Sequence, residues 1–166
     1  MKKYFALIFA FALISCGENF SETASAENWR KSEMKIEIQI TNENGATAKL
    51  LATLAENTSA TSFAEKLRDG AIAVDMSDYS NFEKVGELPF SLARSDEQIA
   101  TDAGDIILYL GNRIVIYYDK NAWNFTRLGK LDAIENGTMT KAELKAILGK
   151  GDVRAVISLA GNSKQR

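Results

Sequence analysis

Tyr79, Phe82, Glu83, Lys84, Phe90, Arg94, Trp123 and Arg127 are the side chains of this sequence best suited to hold a ligand. Eight of the eleven aromatic residues that follow Ser15 lie between Tyr79 and Phe125: Tyr79, Phe82, Phe90, Tyr109, Tyr117, Tyr118, Trp123 and Phe125. A groove for a peptide or small apolar ligand needs large rigid rings with a few polar tips, and Tyr and Trp supply both. Glu83 and Lys84 offer a carboxylate and an ammonium that either orient a ligand's charged ends or simply bond loop backbone and water. Arg94 and Arg127 offer guanidinium groups, whose plainer role is a solvated surface ion pair. Tyr79, Phe82 and Trp123 are expected on loops or strand ends, where they reach solvent. Tyr109, Tyr117 and Phe125 are expected to fill the core. Asp105, after Gly104, reads as a turn former. No nucleophile or acid–base set is complete, so no catalytic residue is assigned.

Composition narrows the chemistry further. The chain has no histidine, and so lacks the commonest general base and the usual ligand for zinc, copper or iron. Ser-His-Asp and Cys-His hydrolases, zinc hydrolases and non-haem iron enzymes do not fit. No segment matches an EF-hand loop, and neither a metal nor a cofactor is expected. Lys and Arg total 20 against 22 Asp and Glu, without the basic footprint of a nucleic-acid binder.

The single cysteine has a context of its own. Lys2 and Lys3 precede an apolar run, Tyr4 to Ile14, that is shorter than the roughly 20 residues of a membrane-spanning helix and reads as a signal segment. Leu13-Ile14-Ser15-Cys16 resembles the lipobox of bacterial lipoproteins, in which cleavage precedes the cysteine and its sulfur receives a diacylglycerol. Residues 1–15 are therefore expected to be a lipoprotein signal peptide and Cys16 the lipidated residue. Residues 16–33 are polar apart from Phe20 and Trp29 and read as a tether, with a reach of roughly 50 Å when extended. The expected partner is a membrane, through the anchor at Cys16, and the expected location is the cell envelope outside the cytoplasm. Gly17 favours the outer membrane if the host is Gram-negative.

The elements that must position the candidate site begin at Met34. Met34, Ile36, Ile38 and Ile40 alternate with polar residues, the period of a half-buried strand, and Asn44-Gly45 predicts a type I′ hairpin into a second strand, Ala46 to Leu54. Ser59 to Leu67 reads as a helix capped by Asn57 or Thr58, and Ile72 to Met76 as a strand. Asp78 to Ala103 has weak periodicity and holds the only proline, Pro89. Ile106 to Leu110 and Arg113 to Tyr118 read as central strands covered on both faces, joined at Gly111-Asn112 by a type II′ turn. Trp123 to Leu131 reads as a strand. Thr140-Lys141-Ala142-Glu143 is a capping box opening a helix that ends at Gly149, and Val153 to Leu159 closes the domain as a strand. Residues 34–160 form one domain, followed by a polar tail, 161–166.

The middle of the chain carries a more specific signal. Asp78-Tyr79, Phe82-Glu83-Lys84-Val85-Gly86, Gly104-Asp105-Ile106-Ile107-Leu108-Tyr109, Ile116-Tyr117-Tyr118 and Trp123-Asn124-Phe125-Thr126-Arg127-Leu128-Gly129-Lys130 occur in that order at close spacing. Together they resemble the bacterial cyclophilin-like domain family, over roughly Met34 to Leu159. The resemblance implies a mainly β fold, a closed cyclophilin-like β-barrel capped by two short helices. It implies no reaction. Segments equivalent to the Phe-Met-x-Gln, Gly-Ser-Gln-Phe-Phe and arginine motifs of true cyclophilins are absent. Alanine, as Ala93 and Ala103, stands where the family often has proline, which leaves the intervening loop less restricted.

Three functions follow as expectations: a lipid-anchored binding module for a peptide or small ligand, a divergent peptidyl-prolyl isomerase using Arg94 or Arg127, or a structural envelope protein whose aromatics contact another protein.

Overall fold

The computed structural model describes residues 34–161. Cys16 and its tether lie outside the described residues. Nine strands and three helices follow in order: β1 (Lys35–Asn42), β2 (Thr47–Leu54), α1 (Thr58–Arg68), β3 (Ile72–Tyr79), β4 (Glu83–Glu87), β5 (Glu97–Thr101), β6 (Asp105–Tyr109), β7 (Arg113–Tyr117), β8 (Asn121–Leu131), α2 (Asp132–Glu135), α3 (Lys141–Leu148) and β9 (Val153–Leu159). Every strand pairing among the described residues is antiparallel.

The strands run in the order β2-β1-β9-β3-β4-β7-β6-β8, and β8 pairs back onto β2, so these eight form a ring. Strand alternation fills it. Ile36, Ile38 and Ile40 from β1, Ile106 and Leu108 from β6, Ile114 and Ile116 from β7 and Ile157 from β9 share one core. Phe63, Ala64 and Leu67 of α1 and Leu144 and Leu148 of α3 join it. Asn57 caps α1 by accepting from the Ala60 amide, and the Thr140–Glu143 capping box opens α3. The remaining helix, α2, is a single turn that hydropathy does not reveal.

β8 does two jobs along its length. Its C-terminal half closes the ring against β6 and β2, with a register shift between Ile106 and Ile107. Its N-terminal half carries β5, from Glu97 opposite Phe125 to Thr101 opposite Asn121. The faces of β6, β7 and β8 that turn away from the ring are also covered. Ile107, Val115, Tyr117 and Phe125 form a second, smaller apolar cluster, with Phe82, Val85, Ile99 and Tyr109 packed against it.

The structure corrects several local expectations. Asp78 to Ala103 is not one irregular stretch: it contains the end of β3, all of β4 and all of β5. At the first hairpin only Gly45 has positive φ, 76°, and Thr41 pairs with Thr47. That longer loop replaces the type I′ turn, which needs positive φ at both central residues. Such a pair occurs instead at Ser80 (49°) and Asn81 (61°), between β3 and β4. A second pair falls on Leu110 (52°) and Gly111 (84°), one residue before the Gly111-Asn112 position expected between β6 and β7.

Candidate functional site

The Ser80-Asn81 turn sets the site. It returns the chain directly into β4, with the Phe82 amide donating to the Tyr79 carbonyl at 3.2 Å. The Phe82 carbonyl then accepts from the amides of Tyr118 and Asp119, which ties this corner to the end of β7. Register does the rest: Glu83 lies opposite Tyr117, Val85 opposite Val115 and Glu87 opposite Arg113. Glu83, Val85, Val115 and Tyr117 thus share the outer face of the ring, while Lys84 and Gly86 point inward.

A cleft of about 410 Å³ opens on that outer face. Val85, Val115, Tyr117 and Phe125 belong to the apolar cluster beneath it, and Tyr79, Phe82, Tyr109, Arg113, Asn121 and Trp123 complete the lining with Glu83. The rings are interlocked. Phe82 stacks on Tyr117 with centroids 6.2 Å apart and 14° between planes, and Tyr79 meets Phe82 edge-on at 5.8 Å. Phe125 packs against both Tyr109 and Tyr117. Tyr79 and Trp123 remain 59% and 61% exposed, which makes them the open rim.

Glu83 is the one strongly buried charged group in the cleft, 8% exposed. Burial pushes its carboxyl pKa up, and a hydrogen bond with Tyr117 only partly offsets this. Its Oε2 is buried without a hydrogen-bond partner among the described residues. Burial, reinforced by the Glu83 carboxyl, pushes the Tyr117 phenol far above its ordinary value, so the hydroxyl stays protonated. Asn121 donates to that hydroxyl at 3.2 Å.

The structure brings Tyr79, Phe82, Glu83 and Trp123 together and separates the other four expected residues from them. Lys84 is wholly buried on the inner face, where its ammonium donates to Asp78 at 2.8 Å, to the Gly151 carbonyl at 2.5 Å and to the Gly149 carbonyl at 3.3 Å. Tyr118 also donates to Asp78. Phe90 packs toward the ring core beside Phe63, 6.4 Å between centroids. Arg94 pairs with Asp96 at 3.3 Å. Arg127 pairs with Asp105 at 2.6 Å on another side, beside a more open recess also lined by Thr53, Lys130, Asp132 and Glu135. That recess is charged but self-neutralised: Lys130 meets Glu135 at 3.0 Å and Lys35 meets Asp132 at 2.6 Å.

Tyr117 and Phe125, expected in the main core, sit in the outer cluster, with Tyr109 packed against it. Asp105 is a buried acid, held by Arg127 and by the Asp102 amide. Arg113 and Asn121 were missing from the expected set, although the alternation Arg113, Val115, Tyr117 places all three on one strand face. Among the described residues no group of three His, Cys, Asp or Glu could hold a metal, and no helix is long and apolar enough to cross a membrane.

The model of the cyclophilin-like family matches residues 43–158. The chain belongs to the cyclophilin-like family. The solution structure of a hypothetical protein from Archaeoglobus fulgidus is similar in fold, with a TM-score of 0.51 and 12% identity over 76% of this chain and 96% of that one. Comparison with curated proteins returns no match. For this cyclophilin-like chain, the family and the fold are therefore established, and the cleft must be judged on its own chemistry.

Proposed function

We propose that the protein is a binding module that takes a peptide or small ligand in the aromatic cleft on the outer face of its strand ring. The ring is read as the closed barrel of the family, held at a membrane by a lipid on Cys16 and facing outside the cytoplasm. The observation that carries the binding role is the cleft itself. Its volume of about 410 Å³ falls within the roughly 300–1,000 Å³ of ligand pockets, and it combines an apolar floor with few polar groups. The anchor rests on the lipobox at Cys16 alone. Its test is metabolic labelling with a radioactive fatty acid, which the Cys16→Ser variant should not incorporate.

One observation favours a second reading, prolyl isomerisation. Arg113 lines the cleft, and an arginine near a proline nitrogen favours loss of amide resonance and so lowers the roughly 18–20 kcal/mol barrier. An NMR titration of the full chain with X-Pro peptides separates the two. Shifts at Tyr117 and Trp123 without faster cis–trans exchange support binding alone. Accelerated exchange that is lost in Arg113→Ala supports the isomerase. No shift at any cleft residue counts against a peptide as the ligand.

A further inference from the structure

We infer that the cleft receives the cationic end of its ligand, a protonated amine or guanidinium on an apolar body, with Glu83 as the counter-ion and the rings of Phe82, Tyr117 and Tyr79 around it. This rests on the reading of the cleft as a ligand site and adds the chemistry of the ligand. Glu83 is an exception among the buried acids of the described residues. Asp105, 3% exposed, is met by Arg127 and a backbone amide. Glu83, 8% exposed, has a buried Oε2 with no donor among the described residues. Buried charge without a partner is strongly disfavoured, so a donor brought by the ligand recovers what the fold leaves unmade.

The surrounding groups decide the sign. The adjacent Lys84 is committed to Asp78 on the opposite face of the strand. Arg113 lines the same cleft but lies four residues from Tyr117 along β7, about 13 Å at a strand's rise, and among the described residues it forms no ion pair with Glu83. The Tyr117 hydroxyl lowers the Glu83 pKa without overcoming burial, and its oxygen accepts from Asn121. The Tyr79 ring, 59% exposed at the rim and edge-on to Phe82, offers an aromatic face, which attracts a cation. An anionic head at this end would meet Glu83, and a neutral apolar one would leave Oε2 without a donor.

Calorimetric titration of the full chain with three probes of one aromatic body tests this: tryptamine, tryptophol and indole-3-propionate. Tryptamine should bind at least tenfold more tightly than either of the others. In Glu83→Gln that preference should vanish, and Trp123→Ala should weaken all binding. The comparison among probes in the native protein stands even if the Gln variant does not fold. Equal binding of the three, or preference for the propionate, overturns the cation and leaves the ligand cleft intact. Absence of binding by all three counts against both.

Discussion

Glu83 and Lys84 are adjacent in sequence and stand on opposite faces of one strand, Glu83 in the outer cleft and Lys84 fully buried inside the ring. Strand alternation makes this unavoidable, and the two charges therefore belong to different environments with different consequences.

Lys84 belongs to stability. Burial alone would raise the Asp78 carboxyl, but hydrogen bonds from Lys84 and Tyr118 outweigh it and hold Asp78 below the usual carboxylate range. Removing one partner of a buried pair costs about 3–5 kcal/mol, so Asp78→Ala should lose that much in urea denaturation. Lys84→Met, which removes the buried charge itself, should lose far less. Equal losses would show that the charge left unpaired on Lys84 is not the source of the effect.

Glu83 has the opposite linkage. Its carboxyl pKa is raised in the folded protein from an ordinary 4.5, so the folded state holds the proton more tightly than the unfolded chain. Stability should fall as pH climbs from about that ordinary value through the raised one, then level off. Glu83→Gln should therefore melt higher than the native protein above this window, and the gap should close below it. Thermal melts across pH 3 to 8, numbers that bracket roughly the carboxylate range, supply the check.

Tyr117 restrains Glu83. Its hydrogen bond lowers the Glu83 value against the larger effect of burial. In Tyr117→Phe the Glu83 carboxyl should titrate at still higher pH, followed by NMR of its side-chain carbon. A downward movement would mean that the hydroxyl does not serve the carboxylate.

The rim of the cleft separates binding from folding. Trp123 is 61% exposed, so Trp123→Ala should change stability by no more than about 0.5 kcal/mol. If it anchors ligand, binding should weaken by about 2 kcal/mol. Arg94→Ala, remote from the cleft, should leave affinity unchanged in the same titration.

Gly86 tests the inner face. A Cβ there would lie 2.3 Å from Val74 Cγ1 and 2.9 Å from the Asp75 carbonyl oxygen. Gly86→Ala should cost about 1–3 kcal/mol by overpacking, read from the urea midpoint.

Much of the architecture was legible because most ring strands carry apolar residues at alternate positions, as β1 and β9 do. β4 was not, for a physical reason. Its inward positions are Lys84 and Gly86, a buried ion-pair member and a close-approach glycine, so hydropathy sees no strand. β5 is Glu-Gln-Ile-Ala-Thr and adds only Ile99 to a cluster. The site was half legible for a related reason. Aromatic clustering pointed to Tyr79, Phe82 and Trp123, but only register shows that Tyr117 faces Glu83 while Lys84 turns away. Arg94 and Arg127 were drawn into the expected set by charge alone. Their carboxylate partners, Asp96 and Asp105, are apparent only in three dimensions.

The separation of the cleft from the ring core has an evolutionary consequence. β4, β6, β7 and β8 each turn one face into the ring and the other to the cleft, so on the proposed binding role substitutions at Val85, Tyr109, Val115 or Phe125 would retune what is bound while Ile106, Leu108, Ile114 and Ile116 keep the scaffold. Divergent descendants of such a chain should share the inner residues of these strands and differ on the outer ones, acquiring new ligands without having to invent a new fold.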